Sequence, residues 1–393
     1  MIAEGWQSLP LATIAKSKIV YGIVQAGPHD PTGVPYLKSS DIGGQIDCSS
    51  LQRTAPEIHQ RFGRSTVVPG DIVISLRGNI GDTSIVPDEL VEANLTQGTA
   101  RISVADDFDR DFIFFQLASA DVQRRIHSVT KGSTFVEITL DDLRKIEVPI
   151  PQCRRQQRYI ADLFIDWNRA IETVEALIAN ARAQKKALMQ QLLPQGTAPP
   201  LKRLSGISRE WREVMLGSLS DISKGEQKGR ATLAEEGPVP VINGGITPSG
   251  YTDHPNTSAD TITISEGGNS CGYVDLITQP FWCGGHCYAL KNLKVERDYL
   301  FAVLKHRERQ IMSLRVGSGL PNIQKKALSQ FSIPVPPKSE QVKIGELAAC
   351  ADKEIAGHQS QLTALRQEKA ALMQQLLTGK RRVKLPESEV IDA

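Results

Sequence analysis

The 393-residue chain is longer than one ordinary hydrophobic core supports, which predicts two or more domains. Hydrophobic residues make up 40% of it and charged residues 23%, the composition of an ordinary soluble globular protein. Lysine and arginine (46) nearly balance aspartate and glutamate (44), so the formal net charge is +2. This balance disfavours a polybasic protein that coats nucleic acid without specificity, and it leaves local, specific recognition open.

Cysteine usage and the N-terminus indicate a reduced protein. The six cysteines stand at irregular positions that do not resemble a disulfide framework. Residues 1–6 lack the basic and apolar regions of a signal peptide. No window approaches about 18 consecutive apolar residues, so no membrane span is expected. We therefore expect a soluble, cytoplasmic protein with no membrane partner.

The N-terminal block, residues 1–150, is named the first head and is expected to mix strands and helices. Residues 71–75 form a short β-branched run and residues 99–104 alternate at period two, so each predicts a strand. Glycines supply turn positions between such runs. Residues 111–126 carry apolar side chains at helical spacing and predict one helix.

Residues 151–194 form a long predicted helix with a broad apolar stripe over about five heptads. Such a helix either lies on its own domain or pairs with a second helix as a coiled coil. Roughly 40 residues give a rod of about 60 Å, longer than a domain of about 150 residues is wide, so the length favours the coiled coil. The residues assigned to helix packing or partner docking are Ile160, Leu163, Trp167, Ile171, Leu188, Met189 and Leu192.

The pattern then restarts after a linker, residues 195–206, that contains proline and glycine. A second strand-rich block, residues 207–336, is named the second head. A second long predicted helix covers residues 337–379, and a polar tail, 380–393, follows it. The packing or docking residues assigned to the second helix are Ile344, Leu347, Leu365, Leu372, Met373 and Leu376.

One seven-residue string marks an internal duplication. Ala-Leu-Met-Gln-Gln-Leu-Leu at 187–193 returns letter for letter at 371–377, 184 positions later. The offset between matching motifs falls from 205 to about 185 across the heads and then stays at 184 through the helices. The helices therefore keep their register, whereas the heads have diverged.

Equivalent repeats usually relate by a two-fold axis, which predicts that the long helices are antiparallel. The predicted fold class is α+β. It has two mixed strand-rich domains separated by two long antiparallel coiled-coil helices, with a pseudo-two-fold internal repeat.

The sequence has no Gly-x-x-x-x-Gly-Lys-[Ser/Thr] phosphate loop, no Gly-x-Gly-x-x-Gly cofactor loop and no Asn/Asp-Pro-Pro-aromatic signature. The best metal candidate combines Cys271 with Cys283, His286 and Cys287, which are possible zinc ligands. Adjacent residues of a strand point to opposite faces, which favours a buried strand with small thiols over a metal site. Two diverged heads on constant helices make binding more natural than catalysis.

Several strings in combination resemble the specificity (S) subunits of type I restriction–modification systems. They are residues 70–81 (Gly-Asp-Ile-Val-Ile-Ser-Leu-Arg-Gly-Asn-Ile-Gly), 132–138, 334–344 and 372–383, the last two with counterparts in the first repeat. The resemblance covers nearly the whole chain. The second head departs from the pattern, because it has Glu-Gly-Gly-Asn at 266–269 in place of Leu-Arg-Gly-Asn.

The resemblance implies a non-catalytic DNA-binding subunit. Each head would be a target recognition domain for one half of a split DNA sequence, and the paired helices would fix the gap and dock methyltransferase subunits, in two copies. Restriction subunits would join the full complex. AdoMet, ATP and Mg²⁺ would belong to those partners, with no cofactor or metal in this chain. A coiled-coil adaptor that binds proteins, and an S-like subunit of another multi-subunit defence system, remain the alternatives.

Side chains that read bases are expected to be Arg, Lys, Asn, Gln, Ser or Thr on surface loops of the heads. The candidates in the first head are Arg77, Asn79, Lys131, Ser133 and Thr134. The candidates in the second head are Lys224, Lys228, Arg230, Asn243, Asn269 and Asn322.

Overall fold

The computed structural model describes residues 4–132, 136–194, 200–204, 210–317, 319 and 321–383. They divide into two units. The first unit combines residues 1–173 with 362–393, and the second comprises residues 174–361. Each unit therefore contains one head together with parts of both long helices.

Two sheets and a strand pair form the first head. The four-stranded antiparallel sheet has the order β2-β8-β5-β6, the three-stranded sheet has the order β4-β3-β7 with β3 and β7 parallel, and β1 pairs with β9. The strands are β1 (Trp6–Pro10), β2 (Val20–Tyr21), β3 (Val34–Leu37), β4 (Arg53–Thr54), β5 (Ile72–Ser75), β6 (Thr83–Ile85), β7 (Asn94–Leu95), β8 (Thr99–Ile102) and β9 (Glu147–Pro151).

Strand β5 is buried on both faces, which explains its unbroken β-branched sequence. Ile72 and Ile74 belong to the larger core of the unit, whereas Val73 points the other way into a smaller core with Leu37 and Leu95. The predictions of strands at 71–75 and 99–104 are confirmed by β5 and β8.

The prediction of one helix over 111–126 is wrong, because two helices stand there. Helix α3 ends at Leu117, and Ser119 then caps the next helix by accepting a hydrogen bond from Val122 N. Apolar spacing continued through the break and hid it. The helices of this part are α1 (Leu11–Ile14), α2 (Pro56–Arg61), α3 (Arg110–Leu117), α4 (Ala120–Ser128) and α5 (Leu140–Arg144).

The second head repeats the topology of the first strand for strand. Its sheets have the orders β11-β17-β14-β15 and β13-β12-β16, and β10 pairs with β18. The strands are β10 (Arg212–Met215), β11 (Asp221–Lys224), β12 (Val239–Ile242), β13 (Tyr251–Thr252), β14 (Thr261–Ser265), β15 (Val274–Ile277), β16 (Trp282–Cys283), β17 (Cys287–Lys291) and β18 (Ser332–Val335). The helices are α7 (Leu216–Leu219), α8 (Arg297–His306), α9 (Glu308–Met312) and α10 (Lys325–Ser329).

Two helices of 39 residues each, α6 (Arg154–Leu192) and α11 (Lys338–Leu376), are the predicted long helices. In the first unit, Ile160 and Phe164 near the start of α6 share a core with Leu376 at the end of α11. In the second unit the roles exchange, because Leu192 at the end of α6 shares a core with Ile344 near the start of α11. The two helices are antiparallel within each unit, and the predicted fold class is confirmed.

A buried glutamine fixes the start of each long helix to its head. Gln157 accepts a hydrogen bond from Asp109 N at 2.8 Å and donates one to Pro151 O at 2.9 Å. Its counterpart 184 positions later, Gln341, accepts from Glu296 N at 3.0 Å and donates to Pro336 O at 2.8 Å. Each side-chain amide therefore accepts a hydrogen bond from the backbone N–H of the residue that precedes a head helix. It donates one to a backbone carbonyl at, or one residue beyond, the end of a head strand.

Candidate nucleic-acid interface

Two loops of the first head are joined by backbone pairing. Loop A (residues 76–81) follows β5, and loop B (residues 131–137) closes on itself through reciprocal hydrogen bonds between Lys131 and Glu137 of 2.9 and 3.0 Å. Ile138 N donates to Leu76 O at 3.1 Å, and a β-bridge joins Arg77 to Glu137. The pairing brings residues about 60 positions apart in the sequence onto one surface.

Ion pairs hold the cations of this surface. Arg77 Nε donates to Glu137 Oε2 at 2.5 Å, and both side chains are at least 40% exposed. Lys131 Nζ lies 2.7 Å from Asp142 Oδ2, and this bond is the main reason why the pKa of Asp142 lies below its ordinary value. Arg77 also lines a pocket of about 370 Å³ with Tyr21, Gln97 and Arg144, among others.

The second head builds the same paired loops from a different sequence. Its loop A (residues 266–272) follows β14, and its loop B (residues 316–322) closes through reciprocal bonds between Val316 and Asn322 of 2.8 and 3.0 Å. Ile323 N donates to Glu266 O at 2.8 Å, and a β-bridge joins Gly267 to Asn322. Glu-Gly-Gly-Asn therefore stands where the first head has Leu-Arg-Gly-Asn, in spite of the departure in sequence.

Side chains on the second pair of loops differ from those on the first. The bridge that carries Arg77 and Glu137 in the first head carries the uncharged Gly267 and Asn322 here. The cation comes instead from β11, where Lys224 Nζ lies 2.5 Å from Glu266 Oε1. Equivalent backbones thus present different charges.

The structure places five of the eleven sequence candidates on these loops. Arg77, Asn79 and Lys131 lie on the first pair, and Asn269 and Asn322 lie on the second. Ser133 and Thr134 lie outside the described residues. Lys224 contacts loop A through Glu266, and Asn243 Oδ1 accepts a bond from His286 N at 3.0 Å on the adjacent turn.

Two candidates lie away from the paired loops of the second head. Lys228 Nζ lies 4.1 Å from the centre of the Trp282 ring and bonds Thr252 Oγ1, and Arg230 is exposed at the start of a 3₁₀ turn. From the sequence, Glu137, Glu266 and His286 were not assigned to the DNA interface, and His286 was considered only as a possible zinc ligand. Glu137 stands inside a string that carried the family resemblance, which was the available signal.

The residues assigned to helix packing or docking differ in exposure. Ile160, Met189, Leu192, Ile344 and Leu376 are buried, whereas Leu347 is 39% exposed. The partly buried members are Leu163, Trp167, Ile171, Leu188, Leu365, Leu372 and Met373.

Within the described ranges, no group of three or more His, Cys, Asp or Glu side chains could hold a metal ion. Cys271, Cys283 and Cys287 are buried, whereas the side chain of His286 is 61% exposed. Residues 268–272 have Gly-x-Ser-x-Gly spacing, but they connect antiparallel strands, and Ser270 Oγ donates to Gly244 O. The nucleophile turn of hydrolases joins a strand to a helix.

No helix among the described residues combines the length and apolar character that a membrane crossing requires.

Residues 4–181 and 208–365 each match the model of a family described as the type I restriction modification DNA specificity domain. The chain belongs to this family. Its two matches correspond to the internal repeat, so the chain is a specificity subunit with two recognition domains.

Curated relatives support the assignment along the full length. The chain is 26% identical over 408 residues to the putative type I restriction enzyme MjaX specificity subunit of Methanocaldococcus jannaschii, which covers 98% of this chain and 95% of the relative. It is 23% identical over 284 residues to a putative type I specificity subunit of Mycoplasma genitalium, covering 71% and 74%. The crystal structure of a type I S subunit from M. genitalium has the same fold, with a TM-score of 0.67, 20% identity and 97% of each chain covered.

Proposed function

We propose that this specificity subunit reads a bipartite DNA target, one half with each head, and carries methyltransferase subunits on its long helices. The observation that carries the proposal is that the paired loops of the two heads have the same backbone arrangement but carry different side chains. Because the backbones match, both heads can contact DNA with the same loops. Because their side-chain donors and acceptors differ, the two heads select different base edges. The two half-sites are therefore expected to be unrelated in sequence.

Partners supply the chemistry in this proposal. The repeated string offers the same helical surface twice, so two methyltransferase copies bind, and restriction subunits join through them. AdoMet, ATP and Mg²⁺ bind to those partners, and this chain acts without a cofactor or catalytic residues of its own. With DNA as its ligand, it works in the cytoplasm.

The test is to co-express this chain with the methyltransferase subunit of its system and to map methylated adenines across the host genome. We expect a motif in two parts with a fixed gap. Arg77→Ala should change the first half-site, and Asn322→Ala should change the second, because each lies on the loops of one head. Each lost base contact should reduce discrimination by roughly 10-fold, as contacts of about 1–3 kcal/mol do.

Circular dichroism and co-purification with the methyltransferase serve as controls, and both should match the unchanged chain. A continuous motif contradicts the proposal, as does a variant that alters both half-sites together. Binding of proteins with no methylation at all would favour the adaptor alternative.

A further inference from the structure

The Cys-Gly-Gly-His-Cys turn at 283–287 lies beside the paired loops of the second head. Glu266 N donates to His286 O at 2.9 Å, which ties the turn to loop A. The thiols that flank the turn, Cys283 and Cys287, are buried, so they anchor it in the core. The His286 side chain remains outside, with 61% of its surface exposed.

Glu266 is the centre of a polar cluster on this surface. Its Oε1 lies 2.5 Å from Lys224 Nζ and 3.3 Å from the Tyr288 hydroxyl, and its Oε2 lies 3.4 Å from His286 Nδ1. The Glu266 side chain is only 13% exposed. A carboxylate removed this far from water needs such partners, since an unpaired buried charge is strongly unfavourable.

Tyr288 supports the cluster from below. It is 2% exposed, and its hydroxyl also lies 3.0 Å from Ile323 O, next to loop B. Burial first, and the neighbouring Glu266 second, raise the pKa of Tyr288 to about 12, so the phenol keeps its proton and remains a donor. Glu266 therefore joins loop A, β11, the turn and β17 in one arrangement.

The orientation of the two outer side chains follows from the shared carboxylate. A carboxylate beside Nδ1 favours the proton on that nitrogen, which leaves Nε2, the ring nitrogen farther from Glu266, as an acceptor. Among the described residues, Lys224 pairs with Glu266, and 49% of the Lys224 side chain remains exposed. Because Glu266 is anionic and DNA is too, the carboxylate is tolerated at a DNA surface only while cations or donors cover it.

We propose that Lys224, Glu266 and His286 form a base-reading cluster of the second head. Lys224 Nζ and His286 Nε2 contact base edges, and Glu266 is the positioning residue that orients both. Among the described residues of the first head, Leu76 occupies the position of Glu266 in the loop pairing, so the carboxylate has no counterpart there. The inference rests on the proposed function and identifies which residues of one head set its half-site.

The test uses the full chain with its methyltransferase and compares Glu266→Gln, His286→Gln and Lys224→Met by adenine methylation mapping. We expect each to relax or change the second half-site by roughly 10-fold in discrimination, while the first half-site stays unchanged. The first half-site is an internal control for folding and assembly within the same experiment. His254→Gln is the matched control, because His254 is an exposed histidine of the same head outside the cluster.

Two results would overturn the inference. One is an unchanged second half-site in Glu266→Gln and His286→Gln. The other is a uniform loss of DNA affinity with a shallower salt dependence and no change in sequence preference, which would assign the cluster to phosphate contacts. Absence of a bipartite motif in the unchanged chain would instead refute the proposed function, so the two failures are distinguishable.

Discussion

Lys369 donates a hydrogen bond from Nζ to Asn168 Oδ1 at 2.6 Å, and this contact joins the two long helices within the first unit. The positions 184 residues away, Lys185 and Asp352, form the matching contact within the second unit, where it is an ion pair. Each repeat thus supplies the lysine of one contact and the amide or carboxylate of the other. The internal symmetry extends from the sequence to individual side-chain pairs.

Asn168→Asp should stabilise the first unit by giving Lys369 the partner that Lys185 already has. Burial lowers the pKa of Lys369, because its ammonium has lost hydration, and an adjacent carboxylate favours the charged form. The expected gain in free energy of unfolding is up to about 1 kcal/mol at pH 7 and low salt. Urea denaturation measures it.

The reciprocal change, Asp352→Asn, is the control for this prediction. It converts the second pair into the first and should cost a similar amount, again within about 1 kcal/mol. No gain in stability from Asn168→Asp, together with no loss from Asp352→Asn, would contradict the prediction.

Gln157→Ala should destabilise the chain more than Gln341→Ala. In the first unit the change leaves Asp109 N and Pro151 O without partners in a buried site, at about 2–5 kcal/mol. In the second unit the residue that donates to the amide, Glu296, is partly exposed, so water replaces one bond and the cost falls to about 1–3 kcal/mol.

Chemical denaturation of both variants, followed by hydrogen exchange in each unit, measures this difference. The matched control is Gln184→Ala, because Gln184 is an exposed glutamine on α6, the helix that carries Gln157. This substitution should change the free energy of unfolding by less than about 0.5 kcal/mol. Equal effects of all three substitutions would show that the buried amides do not fix the helices to the heads.

Gly272→Ala should be more destabilising than Gly268→Ala, although both glycines stand in loop A of the second head. Both have positive φ, 75° at Gly268 and 90° at Gly272, so each alanine is strained by about 1 kcal/mol or more. At Gly268 the added methyl meets nothing within 4 Å, whereas at Gly272 it would lie 2.8 Å from Met312 Cα. We expect about 3 kcal/mol or more at Gly272, measured by thermal unfolding. Similar costs at the two positions would exclude the clash as the cause.

Much of the fold could be predicted from the sequence because the informative patterns are local. The string at 187–193 and 371–377 marks both long helices, and the alternation in 99–104 marks a strand. The break after Leu117 was missed because Ser119 caps a new helix without interrupting the apolar spacing. Capping is decided by one side chain, and periodicity averages over many.

The paired loops could be predicted only in part, because they depend on contacts between distant residues. Arg77 and Lys131 are donors of the kind that reads bases, so composition identified them. Their arrangement depends on the bridge from Arg77 to Glu137, 60 positions away. The equivalence of Glu266 with Leu76 is a property of backbone hydrogen bonds, and the two residue types give no sign of it.

The exposed glutamines of the repeated string should be docking residues. Burial in the unit cores explains why Leu192 and Leu376 are identical, but Gln191 and Gln375 are exposed and identical as well. We expect Gln191→Glu with Gln375→Glu to weaken methyltransferase binding by roughly 10-fold, as loss of an interface contact of about 1.4 kcal/mol does. Native mass spectrometry should show each single variant losing one copy.

Gln184→Glu is the matched control for docking. The position 184 residues later is already Glu368, so the helix tolerates glutamate there, and binding should be unchanged. Loss of binding in this control, or a fall in thermal stability of the double variant, would show that the weaker binding comes from damage to the helix. The glutamines would then not be docking residues.

Lengthening both long helices by four residues should change the gap between half-sites and leave the half-sites themselves unchanged. Insertions after Thr173 and after Gly357 are equivalent under the repeat, and each adds about 6 Å of helix. With base pairs about 3.4 Å apart, the gap should grow by one or two base pairs in the methylation map. An insertion in α6 alone shifts one helix against the other, misaligns pairs such as Lys185 and Asp352, and should abolish methylation. An unchanged gap in the double insertion, with methylation retained, would show that the helices do not set the distance between the sequences that the heads read.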